Sequence, residues 1–168
     1  MAKLTHFDSK GRAKMVDVSS KAETTREAVV RGSISMQPAT FKKIMTGEIS
    51  KGDVLAVAKV AGIMAAKKTS DIIPMCHPLN LSHVEVRFYP EEKASRIDIE
   101  ARVRIKAQTG VEMEGLVAVA AAGLTIYDMC KAIDRGMVIS NIHLIMKKGG
   151  KSGTYLKGAK GSRIQGVK

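Results

Sequence analysis

At 168 residues with 45% apolar side chains, the chain is sized for one compact domain with an ordinary core. Its formal charge of +12, from 28 basic against 16 acidic residues, points to a polyanionic partner: nucleic acid, an anionic membrane or a phosphorylated small molecule. Cys76 and Cys130 are too few for a disulfide framework, no apolar run approaches the roughly 18 residues of a membrane helix, and MAKLTHFDSK lacks a signal peptide's apolar block, so a cytoplasmic protein is expected.

Residues 1–28 are polar and irregular and read as a flexible arm, although VDVSSKAETTREA has the makings of a short strand or nascent helix. From Val29, VVRGSISM sets Val30, Gly32, Ile34 and Met36 on one side, the period of a first strand. Pro38 suits a first helical turn, and PATFKKIM runs to Gly47. A second helix is expected from near Gly52-Asp53, with VLAVAKVAGIMAAKK ending in cations that favour a helix C-terminus. Residues 69–80 carry two prolines and read as loop; LSHVEVRFYP then alternates as strand two. RIDIEARVRIK gives the clearest strand signal, with Ile97, Ile99, Ala101, Val103 and Ile105 opposite a wholly charged set. Gly110 precedes a long helix, VEMEGLVAVAAAGLTIYDMCKAID, and MVISNIHLIMK after Gly136 supplies a fourth strand. The Gly- and Lys-rich residues 149–168 read as a flexible tail around a single 29–148 domain. The order implies an α+β fold: a split βαβ, ferredoxin-like sandwich whose four-stranded antiparallel sheet has helices on one face.

The stretch KKTSDIIPMCHPL sets Cys76 beside His77 between two prolines. A metal site there lacks its further ligands, since no CxxC or HxxxH occurs and the other histidines are scattered at 6, 83 and 143. If the segment is extended, adjacent side chains diverge, which also separates a Cys-His nucleophile pair. A backbone-bonded turn histidine is the plain reading of His77. Pro74 and Pro78 favour instead a preorganised pocket wall of Met75, Cys76 and His77. Asp128 and Lys131, three apart on a helix, share a face. They read equally as a surface ion pair or, within the apolar TIYDMCKAI, as a partly desolvated proton-transfer pair. GGKSG is not a nucleotide loop, because GxxxxGK[ST] needs glycine where Ile145 stands; lysines 147, 148 and 151 remain able to meet an anion. Glu114 and Asp128 are about 21 Å apart along an ideal helix, too far for one compact substrate to bridge within a chain.

Taken together, MVDVSSKAETTREA, KGDVLAVAKVAGIMAAKKTSDIIPMCHPL, TGVEMEGL, LTIYDMCKAID and KKGGKSG resemble the MoaC family, the cyclic pyranopterin monophosphate synthases of molybdenum cofactor biosynthesis, over roughly residues 5–153. The resemblance implies an enzyme that rearranges the cyclised GTP derivative made by a radical SAM partner and releases pyrophosphate. It implies Asp128 and Lys131 as the catalytic pair, and Met75, Cys76, His77, Met113 and Glu114 as lining of the substrate site. Lys51 and Lys67 match further basic positions, as do Arg26 and Lys147. Proton transfer is expected from Lys131 with Asp128 orienting it, and phosphate binding from His77, Lys51 and Lys67. No metal or organic cofactor is implied, and the assembly implied is a homohexamer, a trimer of dimers. The basic tail after Tyr155 lies outside the resemblance. An alternative of another class, a basic RNA-binding ferredoxin-like module, lacks support: there are three Phe and three Tyr to stack on bases and no RNP-like motif.

Overall fold

The structure is a computed structural model and describes residues 10–158. Five strands form one antiparallel sheet: β1 (Thr24–Ser35), β2 (His83–Glu91), β3 (Arg96–Ala107), β4 (Val138–Lys148) and the two-residue β5 (Tyr155–Leu156). Their order is β2-β3-β1-β4-β5. The first four strands thus take the arrangement that a split βαβ topology dictates, compatible with a ferredoxin-like sandwich.

The alternation of β3 sends Ile97, Ile99, Ala101, Val103 and Ile105 to one face, where each is at most 5% exposed. That face is covered by helices α1 (Pro38–Thr46), α2 (Val54–Lys67), the short α3 (Thr69–Ile72) and α4 (Glu112–Cys130). Asp53 caps α2 by accepting from the Ala56 backbone N–H at 2.9 Å, and α1 ends at Gly47 in the left-handed region. Ala118, Val119, Ala122 and Ile126 of α4 are sealed against the sheet. Burying a residue such as Ile97, Ile99 or Ile126 contributes about 1.5–3 kcal/mol. Beside α4 lies α2, so close that a Cβ on Gly62 would sit 2.9 Å from the Ala118 carbonyl oxygen. Lys51, just before α2, reaches Asp128 near the end of α4, so the two helices run antiparallel.

Although α4 has the length and composition of a membrane span, half of its apolar window is buried in this core. Its outward side is left uncovered with that of α2: Val57, Val60, Met64 and Leu124 are 45–60% exposed. The sheet's opposite face is charged and carries the ion pairs Arg31–Glu100, Arg102–Glu27, Arg87–Glu85 and Arg96–Asp98 at 2.5–2.8 Å. At the domain's corner the buried Asp134 accepts backbone N–H groups of Gln37 at 2.8 Å and Gly136 at 3.0 Å.

Four boundaries differ from the sequence expectation. The first strand begins at Thr24 rather than Val29, because β3 pairs with it continuously from Thr24↔Ala107 to Ser35↔Arg96. In a central strand that ladder overrides the weak alternation of TTREA. The expected loop at 69–80 opens with α3, and the long helix stops at Cys130. The sheet has a fifth strand beyond the four expected: β5 pairs with Met146 and Lys147, inside the stretch read as a flexible tail. The rest of that tail, 159–168, and residues 1–9 of the arm lie outside the described residues.

Candidate active site

Two side-chain clusters occupy opposite ends of α4. At its N-terminal end a cavity of about 250 Å³ is lined by Met75, Cys76, His77, Met113 and Glu114, together with Val16, Val18, Lys21 and Glu112. The segment before Pro78 is a turn, closed by the Cys76 N–H donating to the Ile73 carbonyl at 3.0 Å. The extended geometry expected for Cys76 and His77 is therefore corrected, and the turn lets both line the same cavity. Glu114, in the first turn of α4, is 3% exposed. Burial pushes its carboxyl up to about 7, the nearby Glu112 carboxylate adding to the effect and a backbone hydrogen bond opposing it. Burial, with the Glu114 charge, also holds the Cys76 thiol above its ordinary value. Cys76 therefore sits as a neutral thiol, suited to shape more than to attack. His77 donates from Nε2 to the Val16 carbonyl at 2.8 Å.

Next to this cavity is a second, of about 430 Å³, which shares Lys21, Glu112 and the Thr109-Gly110 turn with it. Its remaining wall carries Arg26, Lys147, Lys148 and the Gly149–Ser152 loop. Arg26 donates from Nε to the Ala107 carbonyl at 3.0 Å and from Nη2 to that of Gln108 at 2.9 Å, so it pins the cradle's floor as much as it charges it. Lys147 donates to the Ser152 hydroxyl and closes the loop. Gly149 and Gly150 have φ of 94° and 74°, a left-handed course that glycine takes without strain and that brings the loop against the Thr25 carbonyl and the Arg26 guanidinium.

At the C-terminal end of α4, Lys131 Nζ donates to Asp128 Oδ1 at 2.6 Å, and Lys51 Nζ donates to the Asp128 carbonyl at 3.0 Å with the carboxylate 3.7 Å away. The Lys131 hydrogen bond and charge, followed by the Lys51 charge, hold the Asp128 carboxyl below its usual range; Asp128 in turn raises Lys131. The side chains of Asp128 and Lys131 are 60% and 52% exposed. Within one chain they therefore form the surface pair rather than the desolvated one, because Ile126, Met129 and Cys130 take the buried side of this turn. Lys67 stands exposed in the last turn of α2, at the Glu114 end of the antiparallel helix pair. Among the described residues, no group of three or more His, Cys, Asp or Glu side chains gathers as metal ligands.

A sequence profile of the MoaC family matches residues 15–150. The chain belongs to the MoaC family. Among its relatives, a cyclic pyranopterin monophosphate synthase of Heliobacterium modesticaldum is 59% identical over 157 residues, covering 94% of this chain and 99% of that protein. Proteins of the same name from Chloroflexus aurantiacus and Thermoanaerobacter pseudethanolicus are 60% and 62% identical, each over 152 residues or 90% of this chain and over 93% and 96% of their own lengths.

In this MoaC chain, sequence reasoning passed over Val16, Val18, Lys21, Thr109, Gly110 and Glu112, all of which line the first cavity. For Glu112 a signal existed, since it lies two residues from Glu114 in the opening turn of a helix. For Val16 to Lys21 it was slight: an Asp-x-Ser turn, in which Asp17 Oδ1 accepts from the Ser19 N–H at 2.9 Å.

Proposed function

We propose that the protein is a cyclic pyranopterin monophosphate synthase, a lyase of molybdenum cofactor biosynthesis. It converts the cyclised dihydro-GTP intermediate to cyclic pyranopterin monophosphate and releases pyrophosphate. The observation that carries this reading is the agreement over nearly the whole chain with proteins of that name, combined with an acidic, half-apolar cavity opening beside a cationic one. A purine-derived ring with its triphosphate needs such a pair of compartments. Met75, Cys76, His77, Met113 and Glu114 take the ring, while Arg26 and Lys147 take the phosphates. The +12 charge favours capture of the anionic substrate.

Opening the purine, building the pterin and closing the cyclic phosphate all require proton transfers, and pyrophosphate leaves more readily when cations neutralise it. Asp128 and Lys131 carry the transfers. Lys131 enters as the ammonium and serves first as an acid, with Asp128 fixing its position and taking part in the pair's joint titration. Lys51 and Lys67 contribute cations at the two ends of the helix pair.

Lys131 and Glu114 are separated by most of the length of α4, so the working site is completed between chains. The uncovered apolar stripe of Val57, Val60, Met64 and Leu124 supports a second copy packing on the α2–α4 layer, and three such dimers make the homohexamer. Packing there would also cover Asp128 and Lys131 and strengthen their interaction. The substrate is supplied by a radical SAM GTP cyclase, and the enzyme works in the cytoplasm. The RNA-binding alternative finds no support in the sheet's open face, where Arg31, Arg87, Arg96 and Arg102 are paired to carboxylates. The test is direct: purified protein incubated with the cyclised GTP intermediate forms cyclic pyranopterin monophosphate and one equivalent of pyrophosphate. Folded protein that forms neither would overturn the assignment.

A further inference from the structure

The segment Met15–Lys21 has no helix or strand, yet it roofs the first cavity. Val16 and Val18 are half-buried over it, and Lys21 lines both the ring cavity and the cationic one. The segment holds its own shape through the Asp17–Ser19 turn and the Lys21 N–H donating to the Val18 carbonyl at 2.9 Å. The hydrogen bond from His77 Nε2 to the Val16 carbonyl ties it to the cavity wall, Asp17 faces the His77 ring electrostatically, and Ala13 just before it forms a single β-bridge. A roof without helix or strand, held by few polar contacts and two half-buried valines, is cheap to open, since a neutral hydrogen bond contributes only about 0.5–1.5 kcal/mol.

We propose that Met15–Lys21 is a strap of the substrate site, latched by His77 through Val16, and that it delivers Lys21 to the polyphosphate where the ring and phosphate compartments meet. The proposal rests on the synthase reading for the identity of the ligand. Its geometry gives His77, besides its place in the wall of the ring cavity, a positioning role through the strap, with Nε2 committed to the Val16 carbonyl rather than to a phosphate. Lys21 becomes a further binding residue, adding a mobile cation to a wall otherwise formed by Arg26, Lys147 and Lys148. An anion in the second cavity draws Lys21 inward and holds the strap down over the ring cavity.

Cys76 lies under the strap, half-buried, whereas Cys130 is 1% exposed, so alkylation of the full-length protein by a small maleimide reads out Cys76. Inorganic triphosphate serves as the probe, which keeps the test independent of turnover. The expected results are slowed Cys76 alkylation in wild-type protein with triphosphate and severalfold faster alkylation in His77→Ala without it. His77→Gln, which keeps an N–H donor in reach of Val16, restores the slow rate. Lys21→Gln needs about tenfold more triphosphate for half-protection, and Lys21→Arg stays near wild type. Equal alkylation rates in wild type and a folded His77→Ala, or unchanged triphosphate protection in Lys21→Gln, would overturn the proposal. Failure of the cyclised GTP intermediate to turn over, with these rates as expected, would instead strike the synthase reading and leave the strap standing.

Discussion

Glu114→Gln changes one atom in a side chain that is 3% exposed, and its consequence depends on pH with a fixed sign. In the unfolded chain Glu114 ionises near 4.5, whereas in the folded protein burial holds the proton until about 7. A raised folded value means that the favourable contribution is complete below the unfolded value and is lost as pH rises through the folded one. Between 4.5 and 7, at about 1.4 kcal/mol per pH unit, the wild type loses about 3 kcal/mol that the neutral glutamine does not lose. Urea unfolding at equal protein concentration, at pH 4.5 and pH 8.5, measures this directly. Glu114→Gln gains about 3 kcal/mol on the wild type between the two conditions and surpasses it at the higher pH if the amide is as well bonded as the acid. Parallel stability profiles for the two proteins would show that Glu114 ionises as freely when folded as when unfolded, and the reasoning from burial would fail.

Asp128→Ala and Lys131→Ala each lose most turnover in folded protein, because the pair carries the proton transfers while Ile126, Met129 and Cys130 hold this turn to the core; wild-type kcat/KM in either would exclude a catalytic role. Cys76→Ser keeps substantial activity, as a pocket wall allows, and inactivation as deep as that of Lys131→Ala would point to covalent chemistry. Gly149→Ala raises KM and costs about 1–3 kcal/mol of stability, since φ is 94° and a Cβ would run into the Thr25 carbonyl oxygen; unchanged KM would remove the loop from phosphate binding. Asp134→Ala lowers stability by about 1–3 kcal/mol in thermal or urea unfolding, because the Gln37 and Gly136 N–H groups lose the acceptor that the buried Asp134 carboxylate supplies.

What the sequence disclosed follows the reach of each signal. β3 declares itself because one face is buried and the other charged along its whole length, and α2 because its cap, apolar spacing and terminal cations agree. The first five residues of β1 give no such sign: TTREA is made a strand by the partner it finds in β3, a fact of tertiary structure. Likewise β5, two residues long, depends on Met146 and Lys147 being presented to it. In the site, Asp128 with Lys131 is visible as a spacing of three on a helix. The roof of Val16 and Val18 and the turn at Thr109-Gly110 come from segments about ninety residues apart in the chain, which no local pattern unites. The exposure of Asp128 was equally beyond reach. Apolar neighbours in sequence need not be neighbours across a helix, and Ile126, Met129 and Cys130 turn away from it into the core.

That the two ends of α4 serve one site only across a pair of chains is tested most directly by mixing Glu114→Ala and Asp128→Ala proteins under conditions of subunit exchange and measuring cyclic pyranopterin monophosphate formation. Each variant alone is inactive. In the mixture, random pairing leaves Glu114 of one chain facing Asp128 of another in about one quarter of sites, and activity recovers to that fraction. No recovery despite demonstrated exchange would mean that both residues act from the same chain and would contradict the composite site.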